Sequence, residues 1–175
     1  MRLQRRRRMR GMLLTALILG VIATWDQFRR LDNESKGLRT SLRPNAIELM
    51  LLERVNAARE RVGSPPLAFS SALLKAAYFH SADMAAVRYL AYDGTAGDTP
   101  VDRVTLQGLN YQELKENLFA GSSASLARLA DMAMARWLAN PEERTNLLSG
   151  GFRTTGIGAA RAADGSFYIT QDLLR

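Results

Sequence analysis

Residues 126–171 read LARLADMAMARWLANPEERTNLLSGGFRTTGIGAARAADGSFYITQ, and their pattern indicates the fold class. The first part is predicted to be a helix, because apolar residues recur at positions i, i+3, i+4, i+7 and i+8. These residues are Leu126, Leu129, Ala130, Ala133, Met134, Trp137 and Leu138. Asn140 ends the helix and caps the next turn, which begins at Pro141. Two strand candidates, residues 151–160 and 166–171, flank the hairpin dipeptide Asp164-Gly165.

The residues before this stretch are mainly helical by the same criterion. A helix begins near Pro44 or Asn45 and ends at Gly63, with its apolar stripe at Ile47, Leu51, Val55, Ala58 and Val62. A turn at 64–66 and a short extended segment at 67–69 follow. A second helix runs from Ser70 or Ser71 to about Tyr89, and a short one covers 101–106. Residues 109–121 are less regular. Helices followed by a hairpin predict an α+β fold.

Positive charge is confined to the N-terminus. Residues 1–30 contain eight arginines and one acid, so they carry +7, which equals the net charge of the whole chain. The pI of about 10.4 is typical of a nucleic-acid binder, but here the arginines directly precede an apolar run, residues 11–25. Because positive residues stay on the cytoplasmic side while an apolar segment inserts, we expect a membrane segment and no nucleic-acid partner.

The predicted organisation is a cytoplasmic basic segment at 1–10, a signal anchor or signal peptide at 11–28, a linker at 29–43 and a domain at 44–175. As a helix, the fifteen-residue run is about 22 Å long, shorter than the roughly 30 Å hydrocarbon core, which favours a cleaved signal peptide. Trp25, Phe28 and the following arginines favour a retained anchor instead. We expect a single-pass protein of the cytoplasmic membrane with its domain outside, in the periplasm or extracellular space. Secretion after cleavage is the alternative.

The residue types present exclude several kinds of site. The chain has no cysteine and one histidine, His80. Thiolate metal sites, cysteine nucleophiles and histidine-based zinc sites are therefore excluded or nearly so. We expect His80 to be a structural residue of the second helix, with Asp83 able to orient it. Ser81 is not expected to act with it as a nucleophile, because neighbours on a helix point about 100° apart.

The order of several short segments resembles the CAP superfamily (SCP-like domains) in its bacterial extracellular branch. The resemblance covers roughly residues 46–172. The segments that carry it are Leu52–Arg59, Gly63–Leu67, His80–Ala85, Asp98–Arg103, Glu116–Gly121, Trp137–Pro141, Arg144–Leu148 and Thr155–Gly158. The resemblance implies an α-β-α sandwich with a small central antiparallel sheet, a groove on one side, and secretion or surface exposure.

The resemblance also implies where a pocket lies. Family members often have two histidines and two acids there, which in some of them bind a divalent metal. In this sequence Tyr92 and Glu143 take the places of the histidines, and Glu116 keeps an acid. We therefore take Tyr92, Glu116 and Glu143 as pocket candidates, with no catalytic residue and no cofactor. The alternative is a hard divalent cation held by oxygen ligands.

Each candidate also has a structural interpretation. Glu116 could hold backbone amides, Glu143 could cap the helix behind Asn140, and Tyr92 could pack as a loop aromatic. The expected function is a non-enzymatic binding or interaction module of the cell envelope that recognises an envelope component, a lipid or a protein. One alternative is a divalent-metal-dependent envelope hydrolase using Glu116 and Glu143. A lipid-binding protein is another.

Overall fold

The computed structural model describes residues 43–175. The predicted basic segment, membrane segment and linker up to residue 42 lie outside the described residues. No helix within residues 43–175 has both the length and the apolar character of a membrane span. The elements are α1 (Ala46–Arg61), β1 (Ala68–Phe69), α2 (Ser71–Val87), α3 (Pro100–Thr105), β2 (Leu114–Gly121), α4 (Leu126–Ala139), α5 (Pro141–Leu148), β3 (Thr154–Arg161) and β4 (Phe167–Leu174).

Side-chain caps begin the helices where the sequence predicts. Asn45 accepts a hydrogen bond from the Glu48 amide at the start of α1, and the Glu48 carboxylate accepts one from the Asn45 amide in return. Ser70 caps α2 by accepting from an amide three residues along. Asn140 ends α4 and caps α5, whose first residue is Pro141. These caps satisfy amides that have no partner inside the helix, so they set the points at which each helix starts.

The four strands form one sheet in the order β1-β3-β4-β2. β3 and β4 form the predicted hairpin, and β2 pairs antiparallel with β4 along its whole length. The prediction of an antiparallel sheet is wrong at one edge, where β1 runs parallel to β3 through Ala68↔Thr154 and Phe69↔Thr155. A hairpin is visible in local sequence, whereas this pairing joins segments more than 80 residues apart. The sheet is therefore mixed.

A second expectation, that residues 109–121 are less regular, is wrong for the part of this segment that forms β2. Both faces of this strand are covered, and its buried residues include the polar Glu116 and Asn117 beside Leu118 and Phe119. A strand buried on both faces does not alternate between apolar and polar residues, so the period-two signal is missing. β4 likewise continues to Leu174, three residues beyond its predicted end.

Helices cover both faces of the sheet. α1, α4 and α5 share a core with one face, where Leu51, Val55 and Trp137 pack with Ile169 and Leu173. α2 and α3 cover the other face through two smaller buried clusters. One consists of Met84, Ala85, Leu118, Ala162 and Tyr168, and the other of Leu73, Ala76, Val104 and Leu174. The predicted α+β class, with a helix–sheet–helix layering, is confirmed.

Two glycines of β3 set the distance between α2 and the sheet. A Cβ atom on Gly156 would lie 2.2 Å from the backbone nitrogen of Leu74, and one on Gly158 would lie 2.1 Å from that of Tyr78. Only glycine leaves room for a helix backbone at this approach. The segment Thr155-Gly-Ile-Gly158 thus seats α2 directly on β3.

One buried arginine ties the loops at the end of the α1 layer. Arg59 is fully buried and donates to four backbone carbonyls, those of Pro65, Leu147, Ser149 and Phe152. No carboxylate of residues 43–175 forms an ion pair with it. Its positive charge is therefore satisfied by carbonyl dipoles alone, and the 64–66 turn is fastened to the segment between α5 and β3.

Candidate functional site

Glu116 lies on β2, on the face that α2 and α3 cover, and it is paired with an arginine. Arg103 of α3 donates from Nη2 to both carboxylate oxygens of Glu116, at 3.1 and 3.2 Å. The same guanidinium donates to the carbonyl of Tyr92 at 2.8 Å and to Asp98. Arg103 therefore fastens the loop of residues 88–99 to the sheet. The interpretation of Glu116 as a holder of backbone amides is replaced by this ion pair.

A second carboxyl, Asp172, stands opposite Glu116 in the register of β2 and β4. The two side chains are hydrogen-bonded to each other, and Asp172 is only 1 % exposed. Burial, and then the charge of Glu116, raise the pKa of Asp172 well above its usual range. Burial also raises the pKa of Glu116, against the opposing effect of Arg103. Asp172 is therefore the more readily protonated carboxyl of the pair, and Glu116 lies next to the charge of Arg103.

His80 of α2 completes this buried charge cluster of His80, Arg103, Glu116 and Asp172. Its Nε2 lies 3.8 Å from Oε1 of Glu116 and 2.8 Å from the carbonyl of Ala91. Since a carbonyl only accepts, Nε2 carries the hydrogen, and Nδ1 is left without a partner among the described residues. Burial, and then the charge of Arg103, lower the pKa of His80. The imidazole is therefore neutral in the folded domain.

Glu143 lies on the first turn of α5, in another environment. Its carboxylate accepts from Nη1 of Arg136 at 2.7 Å and from the backbone amide of Leu118. Burial raises its pKa, and Arg136 opposes this rise. Asn140 caps the amides of Glu142 and Glu143, so the carboxylate of Glu143 is directed to α4 and β2 instead.

Tyr92 lies in the loop before α3 with 47 % of its surface exposed. The pKa of its hydroxyl is raised by burial and then by the charges of Glu143, Glu142 and Glu116. The hydroxyl thus lies within electrostatic reach of both other pocket candidates. Among the described residues, however, no side-chain hydrogen bond or ion pair joins any two of Tyr92, Glu116 and Glu143. They surround one region without forming one ligand set.

The side chains in this region do not fit the divalent metal that the family resemblance implies. Residues 43–175 contain no group of three or more histidine, cysteine or acidic side chains arranged to hold a metal ion. Arg103 forms an ion pair with Glu116, and Arg136 forms one with Glu143. A metal ion would have to displace both arginines. Neither of the positions that carry histidine in the family offers an imidazole.

The sequence did not reveal Arg103 and Asp172, and it placed His80 outside the pocket set. The structure brings His80 to Glu116, while Asp83 instead accepts from Thr95 and the Tyr89 hydroxyl. The Ser81 hydroxyl donates to the Gly158 carbonyl and is also hydrogen-bonded to the Thr170 hydroxyl, so it is engaged in packing α2 on the sheet rather than paired with His80. Asn146 of α5 donates to the side chain of Asn117 on β2. The pairing of β2 with β4 would have revealed Asp172, because it sets Asp172 opposite Glu116.

One family profile matches most of the domain described above. Residues 52–173 match the profile of the Cysteine-rich secretory protein (CAP) family. The chain belongs to this family, although it contains no cysteine. The resemblance seen in the sequence is thereby confirmed.

Its bacterial relatives share the domain at low identity. The uncharacterized protein YkwD of Bacillus subtilis is 26% identical over 127 residues, covering 73% of this chain and 47% of YkwD. An extracellular SCP-domain protein of Bacillus anthracis has a TM-score of 0.63 at 27% identity, covering 75% of this chain and 41% of its own. An outer surface protein of Borrelia burgdorferi has a TM-score of 0.66 at 16% identity, and the match covers 77% of this chain and 96% of that protein. This chain thus spans less than half of the length of YkwD.

Proposed function

We propose that this chain is a binding module of the cell envelope that performs no catalysis and is held at the membrane by its N-terminal segment. The state of Glu116 carries the proposal. This carboxylate is buried, paired with Arg103 and hydrogen-bonded to Asp172. A general base must reach the proton that it removes from a substrate, and the Glu116 side chain is only 2% exposed to solvent.

The second acid supports the same conclusion. Glu143 is paired with Arg136 at 2.7 Å and also accepts from the Leu118 amide. Tyr92 and Glu143 replace both imidazoles of the family pocket, so neither position carries a group that titrates near neutral pH by its ordinary pKa. What remains is an intact scaffold whose acids hold loops and helices together. Its partner is an envelope component, a lipid or a protein.

A metal titration tests the absence of catalysis. The thermal unfolding midpoint is measured with and without calcium, magnesium and zinc for the wild type, Glu116→Gln and Glu143→Gln, with Glu142→Gln as the control on the exposed side of α5. We expect no metal to raise the midpoint specifically. A metal present at a hundred times its dissociation constant would stabilise the folded state by about 2.7 kcal/mol. A rise of that size, lost in Glu116→Gln or Glu143→Gln but kept in Glu142→Gln, would favour the metal-dependent hydrolase instead.

A topology assay tests the placement. Alkaline phosphatase, which is active only outside the cytoplasm, is fused behind residue 175, and the membranes are washed with carbonate. We expect an active fusion that stays with the membranes. An active fusion released into the medium indicates a cleaved leader, and an inactive one contradicts the proposed location.

A further inference from the structure

An open cleft of about 800 Å³ lies at the end of the sheet where β3 begins and β4 ends. The loop after α3 forms one wall, and the segment between α5 and β3 forms the other. Leu109, Tyr111 and Leu174 supply apolar surface, while Arg153 and Arg175 line it with guanidinium groups. Tyr92, Glu116 and Glu143 do not line this cleft, so it is separate from the family pocket.

The two arginines of the cleft differ in how their charge is balanced. Nε of Arg175 lies 2.5 Å from Oε2 of Glu113, which neutralises it. Arg153 is exposed, and among the described residues its guanidinium donates only to the carbonyls of Gly150 and Phe152. No carboxylate within residues 43–175 lies at ion-pair distance from its guanidinium. Arg153 is therefore a cation without a counter-ion at the rim of an apolar-floored cleft.

The guanidinium group of Arg59, which also has no carboxylate partner among residues 43–175, lies behind that of Arg153. The buried Arg59 donates to the carbonyl of Phe152, which also accepts from Arg153. The two guanidinium groups are close enough for the charge of Arg153 to lower the pKa of Arg59, after the larger effect of burial. Because Arg59 is bonded to carbonyls alone, two guanidinium groups lie close together here without a carboxylate partner among residues 43–175. An anion bound at Arg153 would relieve this repulsion.

We propose that the cleft binds an amphipathic anion, a carboxylate or related acid group on an apolar or aromatic body. The acid group is held by the Arg153 guanidinium, which matches a carboxylate in a two-point hydrogen bond. The body lies on Leu109, Tyr111 and Leu174. The volume lies in the range of small-molecule sites, which combine an apolar lining with a few polar groups that set orientation. This inference rests on the proposed binding function and deepens it by naming a site and a ligand class.

Calorimetric titration of the full chain in detergent with phenylbutyrate tests the proposal. Phenylbutanamide has the same shape but no charge, so its affinity shows how much the acid group contributes to binding. Inorganic phosphate is an anion without the apolar body, so its affinity shows how much that body contributes. The variants are Arg153→Gln, Arg153→Lys and, as a matched control with the same loss of charge as the first, Arg128→Gln on the exposed face of α4. All three variants keep the N-terminal segment of the wild type, so any background from it is common to the four proteins.

We expect saturable binding of phenylbutyrate and affinity at least about tenfold weaker for both phenylbutanamide and phosphate. Arg153→Gln should weaken the affinity for phenylbutyrate by about tenfold and Arg153→Lys should weaken it by less. Arg128→Gln should change this affinity by no more than about twofold. Equal affinity for the acid and the amide, equal effects of Arg153→Gln and Arg128→Gln, or no binding at millimolar probe would overturn the proposal. Those outcomes leave the metal and topology tests of the proposed function unaffected, so the two fail separately.

Discussion

Replacing Gly158 with alanine should strongly destabilise the domain, because the new methyl group has no space below α2. Its Cβ would lie 2.1 Å from the backbone nitrogen of Tyr78 and 2.4 Å from its Cα. An ordinary contact begins at 3.4 Å, so the gap is short by 3.4 − 2.1 = 1.3 Å. The obstacle is main chain rather than a flexible side chain. The whole 17-residue helix α2 must therefore move away from β3.

The size of the effect follows from this displacement. Overpacking a well-packed core costs about 1–3 kcal/mol and occasionally more. Since backbone opposes backbone here, we expect about 3–4 kcal/mol, a large part of the roughly 5–15 kcal/mol that a domain has. With a urea m-value of about 2 kcal/mol per molar, the midpoint falls by roughly 2 M.

Urea unfolding of a fragment spanning residues 43–175 measures this change. Trp137 is fully buried and is the only tryptophan of the fragment, so its fluorescence reports the core. Gly150→Ala is the control, because a Cβ there meets its nearest neighbour, Ser64 Oγ, at 3.7 Å. That variant should unfold within about 1 kcal/mol of the wild type. Equal midpoints for Gly158→Ala and Gly150→Ala would refute the close seating of α2 on β3.

Four further substitutions probe the buried charges, each by urea unfolding. Arg59→Met should cost at least about 4 kcal/mol, because it leaves four carbonyl groups without their donor; a loss below about 1 kcal/mol would contradict the role of Arg59. His80 has a lowered pKa in the folded state, so the unfolded chain binds more protons as pH falls below about 6.5. Between about pH 7.5 and 5.5 the wild type should therefore lose up to about 1.4 kcal/mol relative to His80→Gln, and parallel pH profiles would contradict this. The pKa of Asp172 is raised, so the wild type loses stability as pH rises above about 4; Asp172→Asn should be as stable as the wild type or more so at pH 7. Glu116→Gln should cost about 2–5 kcal/mol, because it leaves the buried Arg103 without its carboxylate partner. Equal losses of stability in Asp172→Asn and Glu116→Gln would contradict the inference that Asp172 is the more readily protonated carboxyl of the pair.

The buried charge cluster gives the family's retained acid a structural task in this chain. Glu116 holds Arg103, and Arg103 holds the carbonyl of Tyr92 and the side chain of Asp98. The buried ion pair thereby holds the loop of residues 88–99 to the sheet. Breaking such a pair leaves one buried charge unsatisfied, which is why the cluster should tolerate single substitutions poorly.

Local sequence predicts much of this fold, because helices and tight turns are decided by residues close together in the chain. The stripe from Leu126 to Leu138 needs only the 3.6-residue period, and Asn45, Ser70 and Asn140 cap the helices through amides two or three residues away. The hairpin at Asp164-Gly165 is equally local, with Gly165 at a positive φ. Short-range rules were sufficient for these elements.

The candidate site was predicted less completely, because its contacts join distant residues. Motif order marked Glu116 and Glu143, and Arg103 ends one of the motif segments. Nothing in the linear sequence, however, pairs these two acids with Arg103 and Arg136. Asp172 meets Glu116 only through the register of β2 and β4.

Periodicity, capping and motif order belong to the linear chain, and they were enough for the fold class, most helix ends, the hairpin and the family. Three features came instead from the folded arrangement: β1 is parallel to β3, the pKa of Asp172 is raised beside Glu116, and Arg153 pairs with no carboxylate of residues 43–175. The reason is that burial and neighbouring charges exist only once strands from distant parts of the chain are paired. Those two effects alone set which carboxyl keeps its proton and which cation remains free to bind.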